Sequence, residues 1–308
     1  MNHTMTICRK PFTARYCVLA LVGACCLLFA SCGLFEGDRD ISSSPLPPSS
    51  SQPAPSVPTT VQVTLEEGLT AHEIADQLEV NGVCSAAGFL AALTKEAYDY
   101  PFLAQIPEDE RIYLRLEGYL FADTYEFYPD EDPTTVIERF LANFGAQVND
   151  ELLAEIQRQG ITLHQAITLA SIIQEEASDP AEMPMVSSVF HNRLQSPDYP
   201  KLQSDVTIFY VRQSIYPFVT DEEKTVFYNA YSTYERKDLP VGPICNPGLD
   251  AIKAALYPAK SDYYFFLTDK TGKFYYAKTF AVHSANWEQA KAVNAAINAG
   301  SQSDPSGE

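Results

Sequence analysis

The stretch Leu163–Ser178, LHQAITLASIIQEEAS, carries both an apolar helical pattern and a pair of acids at its end. At about 100° per residue, Leu163, Ala166, Ala170, Ile173 and Ala177 share one stripe, with Ile167 and Leu169 on its flanks. The same spacing turns Glu175 away from the stripe, toward water. Glu176 falls between Leu169 and Ile172, at the edge of the apolar face. A carboxyl there is partly withdrawn from solvent, which disfavours its ionised form and raises its pKa. A general acid working near neutral pH needs such a shift. The alternative is an ordinary boundary glutamate whose head reaches water, and periodicity alone leaves both open.

The 308 residues are 46% hydrophobic and 12% aromatic, enough for one sizeable core and a smaller module. The only basic residues before residue 33 are Arg9, Lys10 and Arg15, and that leader contains no acid. The remainder holds 18 basic against 40 acidic residues, a net of −22. Such a surface repels nucleic acid and anionic headgroups, so no nucleic-acid partner is expected. Tyr16–Phe35 is uncharged, follows basic residues, and is long enough to span a bilayer. It also reads as a secretory signal with small residues near its end. VGAC, ending at Cys25, and FASC, ending at Cys32, resemble the lipobox where bacterial lipoproteins are cleaved and acylated. A lipid-modified cysteine and a single transmembrane helix both stay open, and either tethers the body outside the membrane. The body keeps two cysteines, Cys84 and Cys245, expected as free buried thiols rather than a disulfide. The histidines are scattered without ligand spacing, so no metal and no cofactor is expected.

The expected organisation is α+β. Residues 1–35 form the signal or anchor and residues 36–60 a Ser/Pro-rich linker. Residues 61–115 are a small module with its connector, residues 116–298 a helix-rich domain with short strands, and residues 299–308 a polar tail. Val61 opens a short strand, Thr70 caps a helix with Glu73 three residues on, and Asn81-Gly82 stops it. A second helix covers Ser85–Leu93, and strand–helix–turn–helix resembles the LysM-like segment of some cell-wall proteins. Tyr98–Arg115 reads as connector, and the first half of Leu116–Phe144 as turn-like. Thr134–Phe144 is a helix with Val136, Ile137, Phe140, Leu141 and Phe144 on one side. Ser178-Asp179-Pro180 reads as the start of the next helix. YVRQSIYP and VFYNAYSTY stay open between strand and irregular structure. Asp250–Tyr257 is a short helix, Tyr263–Leu267 and Phe274–Ala277 a hairpin, and Ser284–Asn298 a closing helix.

Seven longer motifs occur in a fixed order. They are LEGYLFADTY (Leu116–Tyr125), LASIIQEEAS (Leu169–Ser178), VSSVFHNRL (Val186–Leu194) and KLQSDVTIFY (Lys201–Tyr210). STYERKDLPVGPICNPG (Ser232–Gly248), IKAALYPAKSDYYFF (Ile252–Phe266) and KTFAVH (Lys278–His283) follow. Together they resemble the endolytic murein transglycosylase family (MltG, or YceG-like) over about residues 61 to 290. The resemblance implies a membrane anchor, a LysM-like module and an extracytoplasmic catalytic domain. It implies an enzyme, a lyase that cuts peptidoglycan strands internally between N-acetylmuramic acid and N-acetylglucosamine, leaving 1,6-anhydro ends. It also implies action near newly made strands, as a terminator of their elongation, with cell-wall synthases as partners. The family's catalytic glutamate falls on Glu176, while Gln174 replaces the first acid of its motif. Other departures are Ala122 and Val206, where proline is usual, and Ser232, where the family has asparagine.

Lytic chemistry needs one acid that can afterwards act as a base, and Glu176 is the candidate. Gln203, Ser204 and Asp205 form a polar run suited to sugar hydroxyls and acetamido groups, and Tyr125 and Tyr234 offer flat faces for sugar rings. Glu117 and Asp123 are the nearest second carboxylates. For Asp123 and Asp205 the competing role is capping a turn or helix, and for Tyr125 it is core packing. Hydrolysis with water as acceptor, using Asp205 or Glu117 to activate it, is one rival reading. A catalytically weak glycan-binding scaffold is another.

Overall fold

The computed structural model describes residues 59–95 and 98–302. The anchor segment with Tyr16–Phe35, Cys25 and Cys32, the linker up to residue 58, and residues 303–308 lie outside the described residues. Among the described residues no helix is long and apolar enough to cross a membrane.

β1 (Val61–Thr64) leads into α1 (Ala71–Val80), where Thr70 and Glu73 form the expected reciprocal cap. α2 (Ala86–Lys95) follows, and then a long irregular connection containing one 3₁₀ turn at Pro101–Gln105. The partner of β1 is β2 (Thr124–Phe127), antiparallel, with Val61 opposite Phe127 and Thr64 opposite Thr124. The stretch expected to be turn-like therefore contains a strand. Its TYEF alternation is short, but it sends Phe127 into the core and leaves Glu126 in water. This pairing ties the first module to residues beyond 115, and all described residues belong to one unit.

α3 (Pro133–Gln147) starts at Asp132, whose carboxylate accepts from Thr134 N, and Pro133 occupies the first turn where its missing N–H costs nothing. It buries Val136, Ile137, Phe140, Leu141 and Phe144, the side read from spacing. α4 (Asp150–Gln159) is a further helix, capped by Asn149 and closed by Gly160 at φ 69°.

α5 (Leu163–Glu176) begins at a second reciprocal cap, between Thr162 and Gln165. It differs from the one-sided stripe expected of it. His164, Thr168, Ser171 and Ile172 are buried along with Leu163, Ala166, Ile167, Ala170 and Ile173. α4, α6 (Met183–Gln195), α7 (Val206–Tyr210) and α9 (Leu249–Leu256) enclose it, α9 most extensively. A helix surrounded in this way loses its polar face, and its hydroxyls turn back on their own backbone. Thr168 Oγ1 donates to His164 O at 2.7 Å and Ser171 Oγ to Thr168 O at 2.8 Å.

The start of α6 also differs from expectation. Asp179 accepts from Ala181 N at 2.9 Å and closes a turn around Pro180, so the helix waits until Met183. YVRQSIYP is helical: after α7, a π-helical turn at Val211–Ile215 runs into a 3₁₀ turn at Tyr216–Phe218. VFYNAYSTY lies mostly within α8 (Asp221–Tyr231), started by a third reciprocal cap between Thr220 and Glu223. Its aromatic and β-branched content favours strand intrinsically, but the cap starts a helix of which only the end, Ala230 and Tyr231, is buried.

α9 (Leu249–Leu256) precedes the hairpin of β3 (Phe265–Thr268) and β4 (Phe274–Ala277), with Phe265 opposite Ala277. α10 (Phe280–Gln302) packs on that hairpin and runs past the expected end at Asn298. The architecture is α+β, helix-rich, with two separate two-stranded antiparallel sheets. Cys84 and Cys245 are both buried and are not joined to each other, and Cys245 Sγ donates to Ser171 O at 3.4 Å.

Gly118 marks the tightest approach to α5. Its φ is 89°, and a methyl group there would lie 2.6 Å from Pro243 Cβ and Cγ and 2.9 Å from Ile167 Cγ2. Gly118→Ala combines left-handed backbone strain with overpacking against two rigid neighbours. It should lower stability by about 3 kcal/mol, read as a reduced urea midpoint at unchanged m-value.

Candidate active site

Glu176 occupies the last turn of α5 and is 8% exposed. Helix periodicity placed it at the edge of the apolar face, and packing from α7 closes most of that edge. Its Oε1 accepts a hydrogen bond from Ser204 Oγ at 2.6 Å, a short contact between residues 28 apart in sequence.

Ser204 lies in the Gln203-Ser204-Asp205 run just before α7. Gln203 N donates to Thr233 O at 3.2 Å and Ser204 N to Thr233 Oγ1 at 2.9 Å. Thr233 Oγ1 and Thr207 Oγ1 both donate to Ser204 O, at 3.1 and 2.8 Å. Lys201 Nζ donates to Tyr234 O at 2.7 Å. Tyr234 OH donates to Asp205 Oδ1 at 2.6 Å. Burial, that bond, and the charges of Asp205 and Glu176 together push the Tyr234 phenol well above its ordinary range. Burial also raises the Asp205 carboxyl, against the opposing pull of the Tyr234 bond. Glu176, Ser204, Asp205 and Tyr234 therefore form one polar group, assembled from α5, the segment before α7, and the segment after α8. Gln203 adjoins it, but its carboxamide oxygen accepts from Arg193 Nη2.

Glu117 lies elsewhere, fully buried. Its Oε1 accepts from Ala71 N and Asn246 Nδ2, both at 2.9 Å, and its Oε2 from Tyr210 OH at 3.2 Å. Burial pushes the carboxyl up to about 8, against the pull of those donors. Asp123 and Tyr125 belong to a third group. Asp123 is exposed, accepts from its neighbour Thr124 N at 2.7 Å, and takes Asn143 Nδ2 at 3.0 Å. The Tyr125 ring packs edge-on against Phe140, and its hydroxyl donates to Phe121 O at 2.7 Å. Those are turn-closing and core roles.

The two neighbours of Glu176 on the motif are also engaged. Gln174 Oε1 accepts from Gly248 N at 3.0 Å, so a neutral amide serves the start of α9. Glu175 is half-buried rather than solvated: a methyl group at Gly68 would lie 3.0 Å from its Oε1, because the turn between β1 and α1 covers it. Residue spacing did not single out Arg193, Thr233 or the bonding of Asn246. Arg193 had a legible signal, since it falls on the apolar row Val186, Val189, Phe190 of α6, where a charge is out of place. Among the described residues no group of three His, Cys, Asp or Glu is arranged to hold a metal.

Fold and site together define a helix-rich α+β protein with an acid seated at the end of an enclosed central helix. Residues 50–289 match the YceG-like family, and the chain belongs to that family. The endolytic murein transglycosylase of Bacillus subtilis (strain 168) is 30% identical over 233 residues, covering 72% of this chain and 63% of that protein. The Streptococcus pneumoniae serotype 2 protein of the same name is 29% identical over 262 residues, covering 79% of this chain and 47% of its own. The chain thus spans less than two thirds of either relative. A yceG-like protein from Listeria monocytogenes, known from a 2.6 Å crystal structure, is 31% identical with a TM-score of 0.62, over 73% of this chain and 75% of that one.

Because the folded value of Glu117 lies above the ordinary 4.5, its contribution to stability is complete below that pH and is lost as pH rises toward about 8. Between about pH 5 and pH 8 the wild type should lose on the order of 3 kcal/mol relative to Glu117→Gln. Urea titrations of both proteins at the two pH values measure this difference.

Proposed function

We propose that this protein is a peptidoglycan lytic transglycosylase that cuts within glycan strands, with Glu176 as its acid and then its base. The observation carrying this reading is the Glu176 carboxyl, withdrawn from solvent and oriented by the Ser204 hydroxyl at 2.6 Å. Relatives named endolytic murein transglycosylase support the substrate class.

Protonated Glu176 donates to the glycosidic oxygen as the bond from C1 of N-acetylmuramic acid breaks. Oxocarbenium character develops at C1, and the C6 hydroxyl of the same sugar attacks it. The Glu176 carboxylate takes the proton that this hydroxyl loses, which restores the acid. No water enters, so the two product masses sum to that of the substrate. Ser204 holds the carboxyl in the plane both transfers require. Asp205 and Tyr234, hydrogen-bonded to each other beside Glu176, would hold sugar hydroxyls and a ring face.

Hydrolysis would need a second carboxylate free to activate water opposite Glu176. Glu117 is unsuited, with both oxygens taken by Ala71, Asn246 and Tyr210. Asp205 adjoins Glu176 and gives Oδ1 to Tyr234, so a role in activating water would fall to its Oδ2, and the products of digestion separate that route from attack by the C6 hydroxyl. In the same reading, the β1–α1–α2–β2 unit is a LysM-like module that steadies the strand. The N-terminal segment tethers the body at the outer face of a bacterial membrane, near wall synthases. Strand elongation would then end where the anhydro sugar forms.

Mass spectrometry of murein digested by wild type and by Glu176→Gln tests the reading. Wild type should release anhydro-ended products, and Glu176→Gln should lower the rate by about 10²–10⁴-fold. Reducing-end products alone would make the enzyme a hydrolase; no cleavage by wild type would favour the scaffold. Ser204→Ala should retain folding and lower kcat about tenfold, the scale of one hydrogen bond to a charged group.

A further inference from the structure

Arg193 is the least expected residue near this site. It sits in the last turn of α6 at 2% exposure, and its hydrogen-bonding partners are neutral. Nε donates to Lys201 O at 2.7 Å, Nη1 to Tyr264 O at 2.8 Å, and Nη2 to Gln203 Oε1. The guanidinium carbon lies 5.5 Å from the centre of the Phe265 ring. Burial lowers its pKa to about 10, which still leaves it charged at neutral pH. Enclosing a cation without a carboxylate partner is costly, and a fold keeps it when its geometry is needed.

That geometry converges on one strained residue. Gln203 has φ 54°, and Asp130 is the only other non-glycine described residue with positive φ. A long side chain in this conformation persists only when its surroundings hold it there. Arg193 grips the segment on both sides of Leu202, through the Lys201 carbonyl and the Gln203 carboxamide. The residue after Gln203 is Ser204, whose hydroxyl meets Glu176.

We infer that Arg193 is a positioning residue, whose planar fork holds Gln203 in the left-handed conformation and so sets the Ser204 hydroxyl on Glu176. This rests on the proposed role of Glu176 for its catalytic consequence, but not for its geometric one. A fork is required, because three donors in one plane reach two points of the segment and the Tyr264 carbonyl at once. A lysine ammonium supplies the charge without that arrangement.

The test uses the chain carrying Arg193→Lys, Gln203→Ala, or Arg193→Lys combined with Gln203→Gly. Glycine adopts positive φ without strain, so it should hold the turn without the fork. Crystal structures supply the readout that needs no activity. Ser204 Oγ should move beyond about 3.5 Å from Glu176 Oε1 in Arg193→Lys and Gln203→Ala. It should return in the double variant. On murein, kcat should fall about tenfold or more in the single variants with KM little changed, and recover at least partly in the double variant. Ser204 staying on Glu176 in both single variants would overturn the inference, as would a double variant no better than Arg193→Lys in geometry. If wild type and Glu176→Gln digest murein equally, the proposed chemistry fails, while the crystal structures still decide the role of Arg193. Should Arg193→Lys fail to fold, Gln203→Ala leaves the core arginine in place and carries the same test.

Discussion

One carboxamide joins the parts that the central helix packs against. Asn246 accepts from Gly118 N and Leu120 N through Oδ1 and donates to Leu69 O and Glu117 Oε1 through Nδ2, each at 2.9 Å. Its backbone adds bonds to Leu69 O and from Gly68 N. Both lone pairs and both protons of the side chain are thereby used, which is what a buried amide requires if it is not to be a liability. The connection from β1 to α1, the turn before β2, and the approach to α9 are held in one place. Gly118 is pressed against Pro243 and Ile167 as a result, and α5 gains a wall it could not obtain from helices alone.

The same enclosure explains why the end of α5 is polar. A helix wrapped on every side has nowhere to show a carboxylate except its final turn. There Glu176 meets a segment that is itself irregular and tied by side chains rather than by a ladder. Thr233 supplies two anchors for Ser204, Asp205 locks Tyr234, and Arg193 braces the strained Gln203. Hydrogen bonds of this kind have narrow angular tolerance, so a site built from them is more exact than the loops that carry it.

Much of the local structure was legible beforehand. The cap at Thr70, the stop at Asn81-Gly82, the apolar side of α3 and the hairpin at β3–β4 follow from residue types a few positions apart. The one-faced view of α5 failed because Ser171, Thr168 and His164 look polar in sequence, yet each finds partners inside the fold: Thr168 in its own helix, Ser171 there and at Ile244 N, His164 at Tyr119 and Val241. His164 Nε2, for instance, donates to Val241 O at 2.8 Å. The segment from Tyr210 to Tyr231 resisted reading because it strings together β-branched and aromatic residues that favour strand, while the chain runs through a π turn and a capped helix. The clue was the Thr220–Glu223 cap rather than the apolar pattern.

Sequence by itself determined that this is a helix-rich α+β chain with an acid ending an apolar-patterned helix, since capping and periodicity act over a turn or two. Tertiary structure alone decided which polar residues surround that acid. Ser204 reaches Glu176 across 28 positions, and Asn246 reaches Glu117 across 129. It also moved Glu117, Asp123 and Tyr125 out of that group and brought Arg193 beside it. No local rule carries such information, because a hydrogen bond depends on distance and angle in space, and only the packed core fixes these for residues so far apart.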